Sequence, residues 1–131
     1  TSTEETAYWN LLNGIEPPLS GSIEQNGKIT AEQIGGQIFS DCWGLLCPGD
    51  PARAAHFAKM MSSVSHDGNG IYGGQFVAAA IASAFTSENV EQIIESALSV
   101  IPADCEYALM VRDVVTQSKK TKVTSVKLST L

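Results

Sequence analysis

The residues best suited to chemistry lie in the polar segment 65–74, where a histidine, an aspartate and several glycines follow one another. Gly68, Gly70 and Gly73 match G-x-G-x-x-G, a pattern whose free backbone N–H groups at a helix start bind a diphosphate. The dinucleotide-binding version requires a buried strand before it, whereas a helical pattern and the polar run 62–65 come first here. A tight turn that needs glycine for a positive φ explains the local pattern better.

His66 precedes Asp67, and a loop histidine in this setting can hydrogen-bond a ribose or act as a general base. A surface or capping histidine is the alternative that the local residues favour. Asp67 and Asn69 begin like a calcium loop, but its last ligand position holds Ala78 instead of glutamate. With no G-x-S-x-G segment and with scattered acidic residues, the sequence predicts no complete catalytic or metal-binding constellation.

The composition fits one domain, 1–131, because 131 residues of which 44% are hydrophobic can form one core. The net charge of −6 argues against a nucleic-acid partner. Without a long apolar run, no membrane span is expected, and the polar, acidic start is unlike a signal peptide. An odd number of cysteines without C-x-x-C predicts free thiols in a reducing compartment, the cytoplasm.

Helical periodicity dominates the chain, and it predicts an all-α fold of about five to six helices. A capping box at Ser2 begins a helix that ends near Leu12, and residues 14–29 form a long connection. A second capping box at Thr30 begins a helix, and Asp50 with Pro51 begins the next. The expected buried positions of these two helices are Ile34, Ile38, Cys42 and Leu45, then Phe57, Met60, Met61 and Val64.

The alanine-rich segment 71–85 is apolar almost all round, which predicts the central, most buried helix. The segment 90–101 follows with helical spacing, and Asp104 or a neighbour caps a last helix. Its expected inward residues are Tyr107, Met110, Val111 and Val114. Beyond Gln117 the pattern changes, and residues 122–128 suggest a short strand or a loose tail.

Several segments in order resemble the ADP-ribosylglycohydrolase family between about Trp9 and Val115. They are 17–22, 33–51 (beginning Gln33-Ile34-Gly35-Gly36-Gln37), 65–74 (Ser65-His66-Asp67-Gly68-Asn69-Gly70-Ile71-Tyr72-Gly73-Gly74) and 101–104. The resemblance implies a compact, roughly orthogonal helical fold. It also implies hydrolysis of the glycosidic bond that joins ADP-ribose to an acceptor.

The family holds two divalent ions, usually magnesium, with acidic motifs near the two ends of a longer domain, and neither motif has a match here. The resemblance therefore implies the central portion of the family domain, with a divergent tail at 116–131, and no cofactor for this chain alone. It places the substrate contacts on glycine-rich and histidine-containing segments. The substrate-binding residues it implies are Gly36, Gln37, His66, Asn69, Gly70 and Tyr72.

Three hypotheses follow from the residues and the resemblance. The first is a chain that keeps ADP-ribose or related-nucleotide binding but lacks hydrolysis on its own, since two-metal activation of water needs the missing carboxylates. The second is a small helical interaction module that forms a homo-oligomer through exposed apolar faces. The third is activity that requires acidic residues from a second polypeptide. Whether the chain is an enzyme stays open at this point.

Overall fold

Several helices of the fold begin at a capping side chain. The computed structural model describes residues 1–121, within which all regular structure is helical, so the predicted all-α fold is confirmed. The helices are α1 (Thr3–Leu12), α2 (Ile23–Asn26), α3 (Lys28–Ala31), α4 (Gly35–Ile38), α5 (Asp41–Leu46), α6 (Pro51–Ser62), α7 (Asn69–Ala84), α8 (Val90–Leu98) and α9 (Glu106–Lys120). A turn of 3-10 helix at Leu19–Gly21 precedes α2.

The capping predictions are confirmed for α1, α6 and α9. Ser2 Oγ accepts a hydrogen bond from the Glu5 N–H at 3.1 Å, which caps α1. Asp50 Oδ1 accepts from the Arg53 N–H at 3.0 Å, and Pro51 is the first residue of α6. At the start of α9 the cap is Cys105, the neighbour of Asp104. The Cys105 Sγ accepts a hydrogen bond from the Ala108 N–H. Each cap partners a backbone N–H that has no acceptor within its helix.

The predicted central helix is confirmed as α7, which packs against α4, α5, α6 and α8. Its contact positions are small, and Ala78, Ala79 and Ala82 are completely buried. The facing side of α6 is also small, with Ala54 and Ala58 completely buried. Short side chains let helix backbones approach closely, so the core is made largely from alanine and glycine instead of large apolar residues.

The prediction of a single helix that begins at the Thr30 capping box was wrong, because the chain forms α3, α4 and α5 instead. The predicted buried stripe faces outward, with Ile34 65%, Ile38 60% and Leu45 60% exposed and Cys42 also exposed. The buried residues of this segment are small: Gly35, Gly36, Ser40 and Gly44. A Cβ on Gly44 would lie 2.6 Å from the Ala78 carbonyl oxygen of α7, so the inner face has no room for a large side chain.

Other large residues predicted to face inward are also exposed. Met60, Met110 and Val114 are each more than half exposed, whereas Phe57, Met61, Val64, Tyr107 and Val111 are half-buried. The 14–29 connection contains the 3-10 turn, α2 and the start of α3, so it is more regular than predicted. No helix within the described range combines the length and apolarity needed to cross a bilayer. The predicted strand or tail at 122–128 lies outside the described residues.

Candidate functional site

His66 lies inside the protein, with 1% of its surface exposed, so the surface-histidine alternative was wrong. Its Nε2 accepts the Gly36 backbone N–H at 3.0 Å, and its Nδ1 lies 2.7 Å from Ser65 Oγ. Because Nε2 is an acceptor, the ring proton is on Nδ1, which donates to the Ser65 hydroxyl. His66 therefore cannot deprotonate Ser65 in this arrangement. The ring joins the 65–68 turn to α4.

This burial makes the stability of the fold depend on pH. Burial lowers the pKa of His66 from its usual 6.5, and the charge of Glu4, with Oε1 3.8 Å from Nε2, raises that pKa in opposition. Because the pKa of His66 is lower in the folded chain than in the unfolded chain, the unfolded state binds more protons at His66 as the pH falls through its ordinary pKa. We expect the free energy of unfolding to fall as the pH decreases from about 7 to about 5.5, above the range where carboxylates titrate.

Urea unfolding across that pH range measures this effect. Glu4→Gln is the matched variant, because it removes the charge that favours protonated His66 and should steepen the loss of stability. A free energy of unfolding that stays constant or rises as the pH falls would contradict the expected burial of neutral His66.

Hydrogen bonds join the connection between α1 and α3 to the chain around the 65–68 turn. Ser20 Oγ donates to the Val64 carbonyl at 2.7 Å, and Asp67 Oδ2 accepts the Ile23 N–H at 2.9 Å. A Cβ on Gly21 would lie 2.5 Å from the Ser65 carbonyl carbon, so glycine allows this close approach. The loop–turn cleft between these segments has a volume of about 290 Å³. Its lining residues are Pro18, Leu19, Ser22, Glu24, His66, Asp67 and Ile71.

Asn69, the first residue of α7, ties three helical segments together. Its Nδ2 donates to Glu32 Oε1 and to Glu106 Oε2, each at 3.1 Å. Its Oδ1 accepts the Tyr107 backbone N–H at 3.1 Å, and its own backbone N–H donates to Glu32 Oε1. Every polar group of the Asn69 side chain is thus used within the protein. This residue fixes the position of Tyr107 at the start of α9.

A second cleft, the Tyr107 cleft, has a volume of about 400 Å³. Its lining residues are Glu32, Gln33, Ile34, Gln37, Asn69, Gly70, Tyr107 and Met110. Gln37, Asn69 and Gly70 of the predicted substrate-binding residues are therefore brought together here. Gly36 is buried behind the cleft, His66 borders the loop–turn cleft, and Tyr72 lines neither of the two.

The carboxamides of Gln33 and Gln37 each accept one hydrogen bond through their oxygen atom. Gln37 Oε1 accepts the Tyr107 hydroxyl at 3.0 Å, and Gln33 Oε1 accepts the Thr3 N–H at 3.3 Å. The bond to Tyr107 uses only the Oε1 atom of Gln37. Within the described range, every fully buried side-chain nitrogen or oxygen has a hydrogen-bond partner, so the unbonded Nε2 atom of Gln37 reaches solvent. Burial raises the pKa of Tyr107 above its usual 10.0, so the phenol stays a donor at neutral pH and to a higher pH than an exposed tyrosine.

Sequence reasoning missed Gln33, Glu32 and Tyr107 as members of this cleft. Tyr107 was expected only as an inward apolar residue of the last helix, and it is 70 residues from Gln37 in the chain. Glu32 falls one helical turn after Lys28, with which it forms a 3.7 Å ion pair, and that spacing signals only surface charge pairing. The sequence carried no local signal that these side chains meet.

The described residues do not fit the two-magnesium site that the family resemblance implies. No three His, Cys, Asp or Glu side chains between residues 1 and 121 are grouped closely enough to hold an ion. Asp67 accepts backbone N–H groups with both carboxylate oxygens, from Ile23 and Gly68. Glu32 Oε1 already accepts two hydrogen bonds from Asn69. These carboxylates hold the turn in place and are not free metal ligands.

Within the described range the chain is all-α, and the segment 65–70 around the turn held by His66 contributes residues to both clefts. The family model described as ADP-ribosylglycohydrolase matches residues 1–129, which is nearly the whole chain. The chain therefore belongs to the ADP-ribosylglycohydrolase family, and the resemblance seen in the sequence is confirmed. No curated protein and no solved structure shows significant similarity to it.

Proposed function

We propose that this chain binds ADP-ribose, or a closely related nucleotide, in the Tyr107 cleft and does not hydrolyse it alone. The observation that carries the proposal is the gathering of Gln37, Asn69 and Gly70 at the largest of the described clefts. The family implied these residues as substrate contacts before their positions were known. The family match supports the ligand class, since ADP-ribose is part of the substrates that its name describes.

The chemistry of the Tyr107 cleft suits part of a nucleotide. Ile34 and Met110 supply apolar walls, and the Tyr107 ring supplies an aromatic surface on which a base or sugar can pack. The carboxamides of Gln33 and Gln37 supply neutral hydrogen-bonding groups. Small-ligand sites commonly combine such apolar walls with a few placed polar groups.

The proposed lack of hydrolysis rests on the chemistry of the family reaction. Attack on the glycosidic bond requires activated water, which metal ions supply when several carboxylates hold them. Asp67, Glu24 and Glu32 are the carboxylates that line the two clefts, and those of Asp67 and Glu32 are engaged with backbone and amide N–H groups. Metal-dependent release of ADP-ribose from a modified protein by the pure chain would overturn this part of the proposal.

Calorimetric titration with ADP-ribose, with and without magnesium, tests binding directly. We expect binding that magnesium does not change, and about tenfold weaker binding by Gln37→Ala because one hydrogen bond to the ligand is lost. Gln117→Ala is the matched control, since Gln117 is an exposed residue of α9 that lies outside both clefts.

The possible outcomes separate the alternatives. Binding that requires magnesium would show that the chain holds a metal ion after all. An absence of binding in both buffers would leave membership of the family as ancestry without a working nucleotide site.

We propose self-association of two copies as a second function. The observation that favours it is the exposure of large apolar side chains in the segment of α4 and α5, where Ile34, which precedes α4, and Ile38, Leu45 and Leu46 are 60–70% exposed. Grouped apolar surface of this kind is typical of protein interfaces. Sedimentation equilibrium should give a mass above that of one chain, and a monomer throughout the concentration range would overturn this proposal.

A further inference from the structure

The charged groups beside the Tyr107 cleft determine which part of a nucleotide can enter it. Glu32 lines the cleft, and its side chain is only 14% exposed. Glu106 lies at the same end, where its Oε2 accepts from Asn69 Nδ2 at 3.1 Å. Lys28 is the cation that pairs with both glutamates, with Nζ 3.1 Å from Glu106 Oε1 and 3.7 Å from Glu32 Oε2.

One lysine cannot offset two carboxylates and also attract a diphosphate, so this end of the cleft repels phosphate groups. An uncharged part of the ligand meets no such repulsion. Apolar walls from Ile34 and Met110, with the Tyr107 ring, favour a flat, uncharged heterocycle.

The polar groups left for such a heterocycle are the carboxamides. Asn69 has no free polar atom, because its Nδ2 and Oδ1 are bonded to Glu32, Glu106 and Tyr107. The Tyr107 hydroxyl holds Gln37 Oε1 at 3.0 Å, which leaves the Gln37 Nε2 group as a donor that reaches solvent. A purine ring offers several nitrogen acceptors to a donor of this kind.

We infer that the Tyr107 cleft takes the nucleoside half of the ligand, and that Tyr107 is a positioning residue that orients Gln37 to donate to the base. This inference rests on the proposed function, because it names the half of ADP-ribose that the cleft recognises. The diphosphate and the second ribose lie outside the cleft, away from Glu32 and Glu106. Tyr107 acts through its hydrogen bond to Gln37.

Calorimetry with adenosine and with ribose 5-phosphate tests which half of the ligand is recognised. We expect adenosine to bind within about tenfold of ADP-ribose, since most of the contacts are to the nucleoside, and ribose 5-phosphate to show no binding. If ADP-ribose and ribose 5-phosphate bind but adenosine does not, the inference is overturned while the proposed function stands. If no probe binds, the inference and the proposed function both fail. If adenosine binds and ADP-ribose does not, nucleoside recognition stands and the proposed ligand, ADP-ribose, is wrong.

A double-mutant cycle tests the role of Tyr107. Tyr107→Phe should weaken adenosine binding about three- to tenfold, because the freed carboxamide is no longer held as a donor. In a Gln37→Ala background, the same substitution should have almost no further effect, since Tyr107 would have nothing left to orient.

Tyr8→Phe, which removes an exposed phenol hydroxyl on α1, is the control and should bind adenosine like the unmodified chain. Thermal unfolding of Tyr107→Phe establishes that the variant is folded. Effects of the two substitutions that add fully would assign Tyr107 a role independent of Gln37 and overturn this part of the inference.

Discussion

His66→Ala is expected to lower the free energy of unfolding by about 3–5 kcal/mol, a large share of the stability of a small domain. The substitution removes a ring that is 1% exposed and leaves a cavity between the 65–68 turn and α4. It also leaves the Gly36 N–H without the acceptor that it has at 3.0 Å. An unpartnered buried donor costs about 1–3 kcal/mol in addition to the lost packing.

Urea unfolding of the variant measures this loss, and His56→Ala provides the control. The chain contains two histidines, and His56 is exposed on α6, so its removal should change the free energy by less than about 0.5 kcal/mol. A similarly small change for His66→Ala would show that the ring does not fasten the turn to α4. Because His66 accepts the N–H of Gly36, the neighbour of Gln37, we also expect nucleotide binding in the Tyr107 cleft to be lost.

Gly36→Ala should destabilise the fold by about 3 kcal/mol, although it adds one methyl group. A Cβ at this position would overlap the Gly70 carbonyl oxygen and would lie 3.1 Å from the Gly70 carbonyl carbon. These atoms belong to the backbone of α7 and cannot rotate away, so α4 must shift relative to α7. The shift also lengthens the hydrogen bond from the Gly36 N–H to His66.

Thermal and urea unfolding of Gly36→Ala should therefore show a lower midpoint than the unmodified chain. Gly14→Asn is a suitable control, because Gly14 has open space around its Cα and a φ of +80°, which asparagine tolerates better than most residues. A stability of Gly36→Ala equal to that of this control would mean that α4 and α7 have room to separate.

The starts of α1 and α6 were among the features of the fold that the sequence predicted best. Ser2, Asp50 and Pro51 mark helix starts through local hydrogen bonding and fixed φ, which depend on neighbours in the chain. The central position of α7 was also predictable, because a helix that is apolar on all sides must be covered on all sides.

The buried faces were predicted less well, because periodicity was assigned from large apolar residues. In α4 and α5, Ile34, Ile38 and Leu45 recur at helical spacing but face outward. The residues that face α7 are Gly36, Ser40 and Gly44, whose small size permits close backbone contact. A hydropathy pattern cannot distinguish these two arrangements, since glycine and serine carry no apolar signal.

The candidate site was predictable only in part. The family resemblance nominated Gln37, Asn69 and Gly70, which line the Tyr107 cleft. The orientation of Gln37 depends on Tyr107, which approaches from a helix far along the chain. Contacts of this kind come from the packing of α9 against α7, which the sequence of either helix does not specify.

In a core of alanine and glycine, the small buried residues tolerate substitution less well than the large apolar residues. In most domains the large apolar residues vary least, since their loss leaves cavities. Here Ala54, Ala58 and Ala78 are completely buried at the helix contacts, so almost every replacement adds atoms where none fit. For the fold of a single chain, Ile34 and Leu46 can be exchanged more freely than these alanines. For folding alone, we therefore expect substitutions at these exposed apolar residues to be tolerated better than substitutions at the buried alanines.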